Sequence, residues 1–205
     1  MMHFLTIGGI LGMGAGLSPG PLLTLVIAET LRHGVKGGVK VAMAPVVTDL
    51  PIILGAFFLL RQWSDFKGFL GIMSLLGGLF VLYLAVDGFR APTVAPPAGA
   101  GPSRSLLKGV LANALNPHPY LFWITVGAPL MIKALNLGVP TLTAFLGAFY
   151  TCLLGAKILL AFLVGSSRRF LVGRVYLYTL RCLGLLLGGL AFFLFRDGLK
   201  LLGWI

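Results

Sequence analysis

The fold is decided by residues 3–31, which read HFLTIGGILGMGAGLSPGPLLTLVIAETL and carry no Asp, Glu, Lys or Arg before Glu29. The hydrocarbon core of a bilayer is about 30 Å thick, and a helix needs about 20 apolar residues to cross it. This run is long enough, but Ser18-Pro19-Gly20-Pro21 interrupts its middle. Because proline lacks the N–H group that a continuous helix requires, the stretch predicts a broken transmembrane helix.

Five further apolar runs follow, at about 39–60, 68–89, 106–132, 140–165 and 175–202. Backbone polar groups in lipid must bond within their own segment, so all six runs predict helices. The chain has 205 residues, of which 58% are hydrophobic and only 10% are charged, whereas a soluble domain has about 25% charged residues. The sequence therefore predicts an all-α integral membrane protein with six transmembrane helices and no room for a soluble catalytic domain.

A stretch rich in proline and glycine divides the chain into two halves. Residues 91–105 predict a flexible cytoplasmic linker between a first three-helix half, 1–90, and a second, 106–205. The first helix of the second half has its own interruption at 116–119, which matches the one at 18–21. Because each half has an odd number of helices, the two must insert with opposite orientations. This is the inverted-repeat plan of many secondary transporters.

The net charge of +11 comes from basic residues that lie mainly in short gaps between the apolar runs. In that position they indicate membrane topology and contact with anionic phospholipid, not binding to nucleic acid. Predicted loops one, three and five hold more Lys and Arg than the opposite side of the membrane. The positive-inside bias therefore places these loops in the cytoplasm and both termini outside.

The two proline breaks are candidate binding sites. Each proline should free the carbonyl group four residues earlier, which is that of Ala15 or Leu17 at the first break. At the second break these are the carbonyls of Asn113 and Leu115. Each helix that restarts has N–H groups and a positive dipole end for a carboxylate, while freed carbonyls can hold a cation. A plain kink is the alternative. We predict substrate contacts from Ser18, Pro19, Gly20, Pro21, Asn116, Pro117 and His118.

Three ionisable side chains stand out within these runs. Asp49 lies midway along the second predicted helix, where a carboxylate is costly unless it faces the bundle interior or a water cavity. We predict that it binds substrate and couples transport to protons; a structural ion pair is the alternative. Lys157, deep in the fifth run, is predicted to meet either Asp49 or a substrate carboxylate. His118 can carry a proton near neutral pH or serve as hydrogen-bonded structure.

A repeat of glycines every four residues predicts close helix packing. Gly8, Gly12, Gly16 and Gly20 should share one face of the first helix, and such faces let helices approach closely. The same face would permit a homodimer. The sequence has no phosphate-binding glycine motif, paired-cysteine site or zinc motif, so neither a metal nor a cofactor is predicted.

The chain resembles the lysine exporter (LysE/RhtB-type) family of amino-acid exporters. The resemblance rests on Pro19-Gly20-Pro21, on Asp49 and on Asn116-Pro117, together with Arg32-His33-Gly34, Tyr83-Leu84, Lys108-Gly109 and Leu121-Phe122-Trp123. It implies a carrier in the bacterial plasma (inner) membrane that uses the proton gradient to expel amino acids or related metabolites. In that family the two breaks are thought to face each other around the substrate path. Three departures occur at this site: Pro45 stands where glycine is usual, Thr48 where another small residue is usual, and His118 where lysine is common.

Other functions are weighed against this one. A metal-ion or other small-ion exporter of the same superfamily would need clustered His, Cys and carboxylate ligands, and His3, His33 and His118 are far apart in sequence. An intramembrane enzyme would need a nucleophile with an adjacent base, and none is identifiable, so the chain is predicted not to be an enzyme. An accessory membrane subunit is the last alternative.

Overall fold

The computed structural model describes residues 1–62, 66–89, 104–167 and 174–204, and every regular element within these ranges is helical. The helices are α1 (Met2–Leu17), α2 (Pro21–His33), α3 (Val35–Ala42), α4 (Ala44–Gln62), α5 (Phe66–Phe89), α6 (Ser105–Ala114), α7 (Pro117–Phe122), a π-helical turn (Trp123–Gly127), α8 (Ala128–Asn136), α9 (Val139–Ser167) and α10 (Arg174–Leu201). The predicted linker lies outside the described residues except for its last two positions, 104 and 105.

Several of these helices are able to cross a membrane. By length and hydropathy, three segments of the described residues qualify: Val35–Gly55, Val139–Ser167 and Leu177–Leu201. α1 and α2 qualify as a fourth only when taken together, since they are bent by 62° at the break between them. α5 contributes a shorter apolar segment, Ser74–Val86. The all-helical class is confirmed, with three or four such spans where the sequence predicts six.

The predicted interruptions are present, and the second is more extensive than expected. α1 ends at Leu17, and α2 begins with Pro21 in its first turn, where the missing N–H costs nothing. In the second half α6 ends at Ala114, and α7 begins with Pro117. The π-helical turn then follows, just before Pro129. Pro129 has no N–H group to donate to the carbonyl of Thr125, which is consistent with a π-helical turn at this place. The fourth predicted helix therefore consists of four pieces: α6, α7, the π-helical turn and α8.

The glycine face of α1 packs against α9. A Cβ atom on Gly16 would lie 2.9 Å from the carbonyl oxygen of Leu153, and Gly8 and Gly12 meet α9 backbone in the same way. Close packing is therefore confirmed for these three glycines. Gly20 does not belong to the face: it follows the end of α1, and a Cβ atom there would meet nothing within 4 Å.

The remaining helix contacts bury three apolar clusters, of which two are large. α4 packs on α6 and the π-helical turn, while α5 packs on α10. One large cluster includes Val26, Val41 and Ala161. The other contains Trp123 and Phe149, which also form part of the wall of a cavity beside both proline breaks.

Candidate functional site

A cavity of about 710 Å³ lies between the two breaks. It is lined by residues of α1, α2, α4, α7 and α9, by the π-helical turn and by the end of α6. Most of its surface is apolar, and its polar groups are concentrated near the breaks. This composition is typical of a small-molecule site, in which a few polar groups orient a ligand within apolar walls.

The structure brings eight of the nine predicted site residues to this cavity. The residues that line it are Ser18, Pro19, Gly20, Pro21, Asn116, His118, Asp49 and Lys157. The ninth, Pro117, is buried at the first position of α7 and is not part of the wall. The breaks therefore face a common space, although they are about 100 residues apart in sequence.

Asp49 is buried and surrounded by hydrogen-bond donors. Its side chain is 4% exposed, and its Oδ1 atom accepts from the Asn113 amide at 3.1 Å and from the Thr48 hydroxyl at 3.5 Å. The Tyr150 hydroxyl donates to Oδ2 at 3.3 Å, and the Trp123 ring stacks on Tyr150. Charge-assisted hydrogen bonds of this kind offset part of the cost of burying a carboxylate.

Lys157 binds the end of α1. Its Nζ atom donates to the carbonyl oxygen of Gly16 at 2.9 Å and to that of Ala15 at 3.4 Å. The carbonyl of Ala15 is one of the two that the first break was predicted to free. Lys157 interacts electrostatically with Asp49, but its hydrogen bonds go to these carbonyls, so the predicted direct pair between the two residues is not formed. An ammonium group has three donors, and one remains for the cavity.

The first break presents free backbone N–H groups to the cavity. N–H groups in the first turn of a helix have no partner within the helix, and proline has none to offer. In α2 the N–H of Thr24 already bonds back to Gly20 at 3.0 Å, and no side chain caps the helix. The remaining N–H groups belong to Leu22 and Leu23, and both residues line the cavity.

The second break has no such groups, contrary to the expectation that both breaks would bind a carboxylate. Pro117 and Pro119 have no N–H, and the N–H of His118 donates to the side chain of Asn116 at 3.1 Å. Of the two carbonyls predicted to be freed here, that of Asn113 is hydrogen-bonded, and that of Leu115, whose helical donor position is Pro119, has no hydrogen bond among the described contacts. That of Asn113 accepts from the N–H of Asn116 at 3.3 Å, and that of Ala114 accepts from the Tyr120 hydroxyl at 2.8 Å.

Three residues that complete the site were not predicted as site residues. Asn113 and Tyr150 bond to Asp49, and Trp123 stacks on Tyr150, yet the three lie on α6, α9 and the π-helical turn. The available signal was weak: each is a polar or amphipathic side chain inside an apolar run. Sequence reasoning had no means of aligning three separate helices around one carboxylate. No group of three or more His, Cys, Asp or Glu side chains that could hold a metal occurs among the described residues.

Comparison with known families gives one match. A family model described as LysE type translocator matches residues 15–198, which include both breaks and the whole cavity wall beyond α1. Comparisons with curated proteins and with solved structures gave no match. The match extends through α9 and α10, where the sequence alone offered only length and hydropathy. The chain therefore belongs to the LysE type translocator family of membrane transport proteins.

Proposed function

We propose that this protein is a secondary active exporter, driven by the proton gradient, of amino acids or closely related zwitterions. The observation that carries the proposal is the placement of two opposite charges, Asp49 and Lys157, on one cavity between two broken helices. A carboxylate and an ammonium group at separate points of a mostly apolar wall match the two charged ends of a zwitterion.

The negative end of the substrate would bind at the first break. The N–H groups of Leu22 and Leu23 and the positive dipole end of α2 face the cavity beside the third donor of Lys157. Helix starts of this kind bind carboxylates in proteins, and broken helices place them at the membrane midplane in transporters. The second break contributes no N–H donor, so the carboxylate has one place to bind.

The positive end of the substrate would bind at Asp49. The surrounding donors hold this carboxylate in position without neutralising it, because each supplies a hydrogen bond and none carries a formal charge. A proton and a substrate ammonium group would then compete for the same oxygen atoms. Protonation from outside would release the substrate, and loss of that proton to the cytoplasm would restore the site.

We also propose the six-helix arrangement in two inverted halves, 1–90 and 106–205, joined by the linker 91–105. Its support is a crosswise pattern of contacts: α1 of the first half packs on α9, α4 packs on α6, and α5 packs on α10. A two-fold axis in the membrane plane would exchange the first two pairs and map the third onto itself. The distribution of Lys and Arg favours cytoplasmic loops one, three and five in a bacterial inner membrane.

The test measures the efflux of labelled amino acids from proteoliposomes under an imposed pH gradient. Asp49→Asn removes the charge and keeps the shape, and Asp197→Asn on α10, away from the cavity, is the matched control. Loss of one member of a buried charge pair costs about 2–5 kcal/mol, so we expect efflux through Asp49→Asn to fall about thirtyfold or more, with Asp197→Asn unchanged.

Normal gradient-driven efflux by folded Asp49→Asn would refute the role of Asp49. An efflux rate that does not change with the pH gradient would refute proton coupling. If the correctly folded wild-type protein transported no amino acid, the family membership would stand and the proposed substrate class would be wrong.

A further inference from the structure

We infer that the cavity selects zwitterions with an uncharged, apolar side chain over amino acids with a basic or acidic one. This inference rests on the proposed function and adds the substrate class. It follows from the charges and the walls of the cavity, considered together.

The two charged ends of a zwitterion would pair with the carboxylate and the ammonium group of the cavity. Among the lining residues Asp49 is the only acid, and Lys157 is the only Lys or Arg. A substrate such as lysine carries a second ammonium group, which would have no counter-ion in the cavity. An unpaired charge in such a place is expensive, so a basic side chain is disfavoured, and an acidic one has only the exposed His118 of the wall to pair with.

The wall offers an apolar surface of matching size. Phe122 and Phe149 stack with ring centroids 5.4 Å apart, and both line the cavity. The neighbouring lining residues are aliphatic: Leu11, Leu121, Val126 and Leu153. A bulky aliphatic or aromatic substrate side chain removes this surface from water, which favours binding.

The experiment compares efflux of leucine, phenylalanine, lysine and glutamate from proteoliposomes loaded with equal amounts of each. Leucine and phenylalanine should leave about tenfold faster or more than lysine and glutamate. The variant Leu121→Glu places a second acid on the exposed wall and should raise lysine efflux relative to leucine. Leu137→Glu, between α8 and α9 and outside the cavity, is the matched control and should change neither.

The outcomes separate this inference from the proposed function. Lysine or glutamate efflux at the rate of leucine would overturn the selectivity and leave amino-acid export intact. Absence of efflux for all four would overturn both. An unchanged ratio of lysine to leucine in Leu121→Glu would show that the wall does not contact the substrate side chain, and would also overturn the selectivity.

A separate set of contacts assigns a second role: a cluster around Glu29 holds one side of the cavity closed. Glu29, near the end of α2, is 1% exposed. It accepts hydrogen bonds from Ser105 and, at 3.0 Å, from Lys108, both on α6. His33 lies 3.6 Å from the same carboxylate. The cluster joins the first half of the chain to the start of the second.

A tightly packed layer separates this cluster from the cavity. On α2, α6 and α9, the residues that line the cavity are followed toward the cluster by residues with almost no exposed surface, and α3, which does not line the cavity, adds one more to the same layer. The packed residues are Val26 of α2, Val41 of α3, Ala112 of α6 and Ala161 of α9, each 2% exposed or less. The cavity is therefore shut on the side of Glu29, next to predicted loops one and three. Opening of this side would require α2 and α6 to separate at the cluster that joins them.

Labelling of one cysteine measures this closure. In a Cys152→Ser/Cys182→Ser background, Ser18→Cys places a thiol on the cavity wall, and an impermeant maleimide is added from the cytoplasmic side. Glu29→Gln and, as a milder variant, Lys108→Met should each increase the labelling rate severalfold. Lys40→Met, an exposed lysine of α3, is the matched control.

Faster labelling in both cluster variants with no change in Lys40→Met would support the closure. Unchanged labelling in Lys108→Met, whose side chain is 22% exposed, would overturn it whatever the result for Glu29→Gln, provided that thermal unfolding in detergent shows the variant to be folded. If Glu29→Gln, Lys108→Met and Lys40→Met reduced efflux equally and none changed the labelling rate, the proposed closure would also be overturned.

Discussion

The two helix breaks share a sequence pattern, two prolines one residue apart, but they satisfy their backbone groups in different ways. At the first break the end of α1 is held by Lys157 of α9, and the start of α2 has no side-chain cap. At the second break Asn116 caps α7, and Tyr120 binds the carbonyl of Ala114, all within a few residues. The first break depends on a distant helix, and the second is capped by its own neighbours in the chain.

This difference indicates which of the two breaks can bind a ligand. A break whose polar groups are already paired is a structural element, and a ligand gains little there because it would have to displace an existing bond. A break with unpaired N–H groups beside a cation can be completed by a substrate carboxylate. Repetition of a sequence motif in two halves therefore does not imply repetition of its chemistry.

Among variants that compare the two breaks, the largest effect is expected from Lys157→Met. This variant removes the charge beside the first break and two hydrogen bonds to the carbonyls of α1. Hydrogen bonds to charged groups contribute about 1.5–3 kcal/mol, so we expect efflux in the proteoliposome assay to fall about tenfold or more. Lys133→Met, an exposed position of α8, should match wild type. Wild-type efflux from Lys157→Met would mean that both breaks are structural.

A smaller effect is expected where α1 is held against α9. In Gly12→Ala the new Cβ atom would collide with the backbone of Phe149, whereas in Gly14→Ala it would meet nothing within 4 Å. Overpacking costs about 1–3 kcal/mol, and alanine otherwise favours a helix over glycine. Thermal unfolding in detergent should therefore show a lower melting temperature for Gly12→Ala and an equal or higher one for Gly14→Ala. If the two variants melt together, the first break does not depend on this contact.

The sequence was sufficient for the features that follow from hydropathy and from proline chemistry. The broken first helix, the glycine contact and the proximity of Asp49 to both breaks follow from patterns along single helices. The partners of Asp49 do not, because three helices must pack before Asn113 and Tyr150 can meet one carboxylate. The cap at the second break could have been predicted from the sequence. In Asn-Pro-x-Pro the Asn side chain can cap the helix, and the two prolines have no N–H groups.

A modest effect is expected when the cap of the second break is removed. Asn116→Ala leaves the N–H of His118 without its acceptor, and loss of such a cap costs about 1 kcal/mol. Asn116→Ser keeps an uncharged acceptor at the cap position and is the matched variant. We expect a lower melting temperature for Asn116→Ala alone, with substrate KM almost unchanged in both. A large rise in KM for Asn116→Ala would place the substrate carboxylate at the second break and reverse the comparison.

The smallest effect is expected at His118. Its backbone N–H takes part in the cap, and its side chain is exposed on the cavity wall. His118→Gln keeps the backbone bond and removes only the ionisable ring, and such exposed substitutions change energies by about 0.5 kcal/mol or less. Efflux should stay within about twofold of wild type, and its dependence on external pH should keep the same midpoint, because the proposed proton site is Asp49. A shifted midpoint would give the second break a role in proton coupling, and the two breaks would then divide the work between substrate and proton.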